Sequence, residues 1–434
     1  MTKFKLLQLK YRVLLAIGML SFMLQSPVFG ESLEDAWKTA VEANHALKSA
    51  HSNSLSAEIQ VSAAKASRLP VVELSSRFVE TSDRQSLKVD LMGQQLRIPI
   101  TEQGMSLHQA MVTIPLFTSG RITHGISAAS SAAEAAKLSE ATSESDLKLQ
   151  VAEAYVNVLR AIRGYNVAKS HEQSLEAHKK DVDNLAEQGM VARNAQLAVE
   201  VALLDAQQQM VQAENAQNLA KAAYNRLLSR PLDQAVEVNE IAPEQPSQDL
   251  TALNAQALGS RTEPKMIEKQ TTALLDQAVV VSRETWPQIG LTGGYQYLQN
   301  QYLAPEGQWL VAVGLKWNIF DGWSSRNRAS ALGQQASAVT EQKKETLSLI
   351  SLQVRKSWLD LKSASKRIEV TQSAITQANE NLRVARDRYT NGLSTNTEVL
   401  DAETMRTLSE TSHANARYDA VMAGIRLKHS VGGL

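Results

Sequence analysis

The chain has 434 residues, no cysteine, and equal numbers of Lys+Arg and Asp+Glu, 45 each. The missing cysteine excludes disulfides, thiolate metal sites, cysteine nucleophiles and a lipid-modified N-terminal cysteine, and the balanced charge gives no footprint for nucleic acid. Only 5% of residues are aromatic and ten are proline, a mixture that favours long helices packed through small side chains.

The chain opens with Lys3, Lys5, Lys10 and Arg12, followed by a short apolar run from Val13 to Leu24 and a small residue, Gly30, before Glu31. This is the layout of a secretory signal peptide, expected to span residues 1–30. Without those four cations the remainder carries 41 Lys+Arg against 45 Asp+Glu and is slightly acidic. No later apolar run has the length of a membrane-spanning helix, so any spanning part must be strands in a closed barrel.

Two halves of the chain overlie one another. At an offset of 203 residues, Ile114-Pro115-Leu116-Phe117 falls on Trp317-Asn318-Ile319-Phe320, and Gln188-Gly189-Met190 falls on Asn391-Gly392-Leu393. Upstream the offset is 217, setting Leu33 on Leu250 and Pro70 on Pro287, so the first copy carries fourteen more residues between its strands. A tandem repeat is expected: residues 31–228, a proline-rich linker at 229–249 containing Pro231, Pro243 and Pro246, and residues 250–434.

Within each copy the pattern reads helix, strand, loop, strand, long helix, turn, helix. Strand pairs are expected at about 70–117 and 287–320. Val72, Leu74 and Phe78 alternate with Glu73, Ser75 and Arg77, and Val311, Val313, Leu315, Trp317 and Ile319 alternate with small or polar residues. One apolar and one polar face suits lipid outside and water inside. The segments around Thr81 to Leu107 and Gln299 to Gln308 are expected as outward-facing loops, and of the aromatic cluster Trp309, Trp317, Trp323, Tyr295, Tyr297 and Tyr302 those at strand ends are expected at the membrane interface.

The long helices carry heptads. Leu347, Val354, Leu361, Ile368, Ile375, Leu382 and Tyr389 lie seven apart, with Ile350, Ser357, Ala364, Ala378 and Ala385 between them. Such rods need neighbours of equal length. Four strands also cannot close a barrel, since the smallest bacterial ones have eight, so oligomerisation is required.

Tandem copies of strand pair and helical hairpin, Pro115 to Gly120, the second version Asn318 to Gly322, and Arg388-Tyr389-x-x-Gly392-Leu393 together resemble the TolC outer-membrane factor family. The resemblance implies a mixed, mostly α fold in a homotrimer. Four strands per protomer would complete a 12-stranded outer-membrane β-barrel on a long periplasmic α-helical barrel. It further implies an exit duct for a tripartite efflux pump or a type I secretion system. Partners would be a periplasmic adaptor (membrane fusion) protein, through it an inner-membrane pump, and outer-membrane lipid. No cofactor, metal or enzyme activity is implied. The competing readings are a periplasmic adaptor, which would have one hairpin, and a structural coiled-coil protein, which would not need alternating strands.

Residue by residue, Gly189, Met190 and Val191 with Gly392, Leu393 and Ser394 form the hairpin tips, which the resemblance makes an adaptor-docking surface. Glu398 and Asp401, one turn inside the last helix, match an acidic pair that would ring the pore entrance under threefold symmetry. Tyr389 matches an entrance tyrosine. Ser394 stands where a basic residue is expected and Ala195, beside Asn194, where its acidic partner would be, so the expected entrance salt bridge is missing at both ends. Arg193, Arg388 or Asn396 are the available substitutes. His171 and His178 share a helix face, but without a carboxylate set they are expected on solvated surface.

Overall fold

The computed structural model describes residues 30–244 and 249–434; the expected signal peptide, apart from Gly30, and Pro246 of the linker lie outside the described residues. In chain order the elements are α1 (Leu33–Ala43), α2 (His45–Ala66), β1 (Val71–Glu80), β2 (Ser86–Leu91), β3 (Gln94–Pro99), β4 (Gly104–Phe117), α3 (Arg121–Glu187) and α4 (Arg193–Leu227). They continue with α5 (Leu250–Ser260), α6 (Glu263–Ser282), β5 (Gln288–Leu298), β6 (Gly307–Lys316), α7 (Ser324–Thr390) and α8 (Asn396–Ser430). Both α3 and α7 have 67 residues, and both α4 and α8 have 35. Their starts and ends are separated by 203 residues, and those of α1 and α5 by 217, the two offsets at which the sequence overlies itself.

The helices end where the backbone chemistry directs. After α3, Gly189 takes φ 71° and Met190 N–H bonds to the Leu185 carbonyl; after α7, Gly392 takes φ 70° and Leu393 N–H bonds to the Arg388 carbonyl. A left-handed glycine closing a six-to-one hydrogen bond is the Schellman stop. At 1.5 Å per residue each 67-residue helix is about 100 Å long. Among the described residues no helix is long and apolar enough to cross a membrane.

The chain divides into two compact units, each drawing on both sequence halves. One comprises residues 49–142 and 262–348 and contains all the strands. Its sheet has the antiparallel order β1-β4-β5-β6, with both outer edges unpaired within the chain. The register aligns one polar row across all four strands, Ser75–Gln109–Gln296–Gln308, in which Gln109 Nε2 donates to Gln296 Oε1 at 3.0 Å. The adjacent row, Leu74–Ala110–Tyr295–Trp309, belongs to the opposite face, where Leu74 and Trp309 are each 80% exposed. The expected alternation is thus present, but β6 ends at Lys316. Trp317 and Ile319 lie beyond it, and Trp317 Nε1 instead donates to the Thr285 carbonyl. The expected loop between β1 and β4 differs as well: it holds a separate hairpin, β2–β3, over residues 86–99.

The other unit comprises residues 30–48, 143–261 and 349–434. Its largest core joins Leu147, Val151, Tyr155, Val158 and Leu159 of α3 to Tyr224 of α4 and Tyr418, Val421 and Ile425 of α8. Tyr155 donates to the carbonyls of Glu31 and Asn239, and Glu31 is held by Arg230 at 2.7 Å, so the first described residues are stitched to the segment after α4. A second core sets Ile350, Val354 and Leu361 of α7 against Ala423, Leu427 and Val431.

Candidate pore-entrance site at the hairpin tips

The tips of α3–α4 and α7–α8 fall in the same unit and share a small core: Val182, Val199, Leu382, Ala385, Tyr389, Val399 and Ala402. Seen from this core outward, the expected residues separate into two groups. Gly189, Met190, Gly392 and Leu393 are exposed, Met190 and Leu393 each at 68%, while Val191 and Ser394 are half-buried. Asn194, Glu398 and Asp401 are also exposed. Glu398 lies 3.7 Å from Arg388, so that arginine faces one member of the acidic pair across the end of the hairpin. An ion pair between two such exposed groups contributes about 0–1 kcal/mol and serves mainly to set charge.

Tyr389 is buried instead. Its ring meets His178 edge-on with centroids 5.4 Å apart, and its hydroxyl has no hydrogen-bond partner among the described residues. Burial, together with the nearby Asp181 carboxylate, pushes its phenol up from the ordinary value.

Asn396 occupies the place where the two hairpins need a link. Its Oδ1 is 2.7 Å from His178 Nε2 on α3, and its Nδ2 donates to the Ala195 carbonyl on α4 at 3.3 Å. One side chain of the second hairpin therefore engages both helices of the first. His178 is correspondingly buried, and loss of hydration lowers its pKa despite the opposing hydrogen bond it donates to Asn396 Oδ1.

Two turns further along α8 lies a charged layer. Glu403 is 1% exposed and accepts from Arg406 Nη2 at 2.6 Å; Arg386 of α7 approaches its other oxygen at 3.4 Å and also donates to Ser174. His171 Nδ1 sits 3.4 Å from Glu403 and 3.0 Å from Thr407 Oγ1, and Arg406 reaches Glu410 at 2.9 Å. Burial alone would raise the Glu403 carboxyl, but the hydrogen bonds from His171 and Arg406 outweigh it and hold it down to about 2. The expectation of solvated His171 and His178 is therefore wrong: both are buried against α8.

Glu403, Arg406 and Arg386 were not among the expected site residues, although a signal for the layer exists. His171 and His178 precede Leu175 and Val182 by four residues, the d-to-a step of the heptad, and Asn396, Glu403 and Glu410 are seven apart. Polar side chains repeating at seam positions are a buried layer written in sequence.

Comparison with known proteins agrees with this architecture. The family described as outer membrane efflux protein matches residues 37–229 and 253–433. The outer membrane efflux protein BepC of Brucella suis is 26% identical over 162 residues, 37% of this chain and 35% of that protein. The alkaline protease secretion protein AprF of Pseudomonas aeruginosa is 23% identical over 308 residues, 67% of this chain and 62% of that protein. The chain thus matches less than two thirds of the length of either relative.

Among solved structures, VceC of Vibrio cholerae superposes with TM-score 0.79 at 16% identity, covering 92% of this chain and 96% of that one. The Campylobacter jejuni CmeC channel gives 0.77 at 15% identity, covering 92% and 85% respectively. The open state of the Neisseria gonorrhoeae MtrE channel gives 0.74 at 18% identity, covering 92% and 89%. With the fold shared across nearly all of these channels and the family match running through both sequence halves, the chain belongs to the outer membrane efflux protein family, the TolC-type outer-membrane factors.

Proposed function

We propose that this protein is the subunit of a homotrimeric outer-membrane channel, the duct through which a periplasmic export machine releases its cargo. The observation that carries this reading is the four-stranded sheet, with a bare apolar face, a polar face and two unpaired edges. Three copies joined β6 to β1 would make twelve strands, remove the edges and turn the apolar face to lipid. The strands have 10–14 residues, enough to cross the hydrocarbon core when tilted. The apolar stripe Leu197, Val201, Leu204 and Val211 on α4, exposed in the single chain, supports packing of neighbouring copies through their helices. The equal helix lengths and constant offsets support a tandem duplication.

In this assembly the hairpin tips, Gly189 to Val191 and Gly392 to Ser394, are the surface for a periplasmic adaptor protein and, through it, an inner-membrane pump. Glu398 and Asp401 form acidic rings at the entrance and favour cations. The closed state is held by packing and by the Asn396 bonds to His178 and Ala195 rather than by a salt bridge, so it is less sensitive to salt.

The first test is the mass and location of the protein in mild detergent: a threefold mass from outer membranes supports the channel, and a soluble monomer or dimer refutes it. Val311→Arg on the apolar face should cost about 2–4 kcal/mol per copy and deplete the assembled form, whereas Gln296→Arg on the polar face should assemble normally. Glu398→Ala with Asp401→Ala should reduce cation selectivity of single channels without altering the threefold mass.

A further inference from the structure

The β2–β3 hairpin has an apolar face that nothing within one chain covers. Its register pairs Leu87 with Ile98 and Val89 with Leu96 on one face, and Lys88 with Arg97 on the other. Leu87, Leu91, Leu96 and Ile98 are 45–58% exposed, and Met92 at the turn is fully exposed. A two-stranded hairpin is marginal in water without burial of such a face. On that second face Asp90, two residues from Lys88, offsets part of the repulsion between the opposed Lys88 and Arg97, so the uncovered apolar face is the one that needs a partner.

This hairpin is nevertheless firmly based. Met92 and Gly93 both take positive φ, 53° and 84°, in a two-residue turn, and Asp90 accepts from Gly93 N–H. At its foot Ile100 N–H bonds to Gln85, Thr81 N–H bonds to Gln103, and the fully buried Asn300 donates to the Ile100 carbonyl from the β5–β6 loop. It continues from β1, the edge strand of the sheet, at the end opposite to that where α2, α3, α6 and α7 join the strands. In the channel reading, on which this inference rests, that end is the outer mouth and that edge is the seam between copies.

We propose that the β2–β3 hairpins of three copies lean inward and pack their apolar faces against one another, forming a lid over the outer mouth of the barrel. Lipid is a poorer occupant. The four-stranded sheet already spans the hydrocarbon core, so the hairpin stands above it; and if its apolar face met lipid, Lys88 and Arg97 would point away from the anionic headgroups. Mutual packing buries the apolar face, with leucines inward and the charged face, Lys88, Asp90 and Arg97, outward over the membrane surface. The dimensions allow it: twelve strands about 4.8 Å apart and tilted about 40° enclose a radius of roughly 12 Å, and a six-residue strand reaches about 20 Å. Cargo must part the three hairpins, so the lid is held only by side-chain burial and can reopen.

The absence of cysteine makes the test direct. Detergent-solubilised L96C and I98C, on the apolar face, are treated with a short bismaleimide beside K88C and R97C on the other face. Native mass is measured first. The lid predicts threefold mass throughout, at least tenfold more cross-linked copies for L96C and I98C than for K88C and R97C, and a fall in single-channel conductance on cross-linking. Threefold mass with equal or negligible cross-linking on the two faces overturns the lid and leaves the channel reading intact. Quenching by brominated lipid of a fluorophore carried by the L96C variant likewise overturns it, in favour of lipid. A monomeric mass removes the channel reading and the lid together.

Discussion

The helical hairpins α3–α4 and α7–α8 have equal lengths and equal turns, yet their second helices live in different surroundings. In α8 fifteen of 35 residues are buried, among them Glu403 and Arg406; in α4 only five are. The residue 203 before Glu403 is Glu200, which stays exposed on α4. The reason is position. Tyr418, Val421 and Ile425 of α8 pack against α3, and Ala423 and Leu427 against α7, whereas α4 presents Val201, Leu204 and Val211 outward. One template can thus supply an inner and an outer helix, and a carboxylate acquires a structural role only in the inner one.

The sharpest way to break this comparison is to remove the two glutamates separately. Glu403→Ala leaves Arg406 buried without its main partner and should cost about 3–5 kcal/mol of local stability, read from amide exchange in α8. Glu200→Ala should stay within about 0.5 kcal/mol. Equal losses would mean that the two helices are not differently placed.

Asn396 and its counterpart Arg193 give the next contrast. Asn396→Ala leaves the buried His178 ring nitrogen without its partner, and should cost about 1–3 kcal/mol by the same measurement. Arg193→Ala, at an exposed position, should be near neutral. A smaller difference concerns the helix starts: Thr395 caps α8 by accepting from Glu398 N–H, while Ala192 before α4 makes no side-chain cap. Thr395→Ala should lose about 0.5–1 kcal/mol, and Ala192→Thr should gain a few tenths.

The smallest expected effect is on pH. His178 is neutral in its buried site, with a pKa below the ordinary 6.5, so its contribution is present above pH 6.5 and lost as pH falls through the depressed folded value. Glu403 behaves likewise in a lower window: its stabilisation is present above 4.5 and lost between 4.5 and about 2. Exchange at the tip should therefore quicken first below pH 6.5. In His178→Gln that upper step should vanish while the acid step remains; persistence of the upper step would assign it to another group.

Much of the fold was legible before any coordinates. Glycines at 189 and 392, heptads over dozens of residues and alternation on β1, β4, β5 and β6 are local signals, because each depends on φ, ψ and side-chain period alone. The exposed tips followed from the same signals. The β2–β3 hairpin was not legible, since its turn is Met92-Gly93 rather than the Asn-Gly or Asp-Gly pair that marks such turns. Burial of His171, His178 and Glu403 was missed because each residue taken singly favours water.

The sequence by itself therefore determined the elements, their lengths and the spacing between its halves, all consequences of local backbone geometry and periodicity. Tertiary structure alone decided that α8 is the inner helix, that Asn396 reaches both His178 and Ala195, and that Glu403 is encircled by Arg406, Arg386 and His171. The physical reason is that burial belongs to all the helices around a side chain together, and the energy of a charge depends on which of them arrive there.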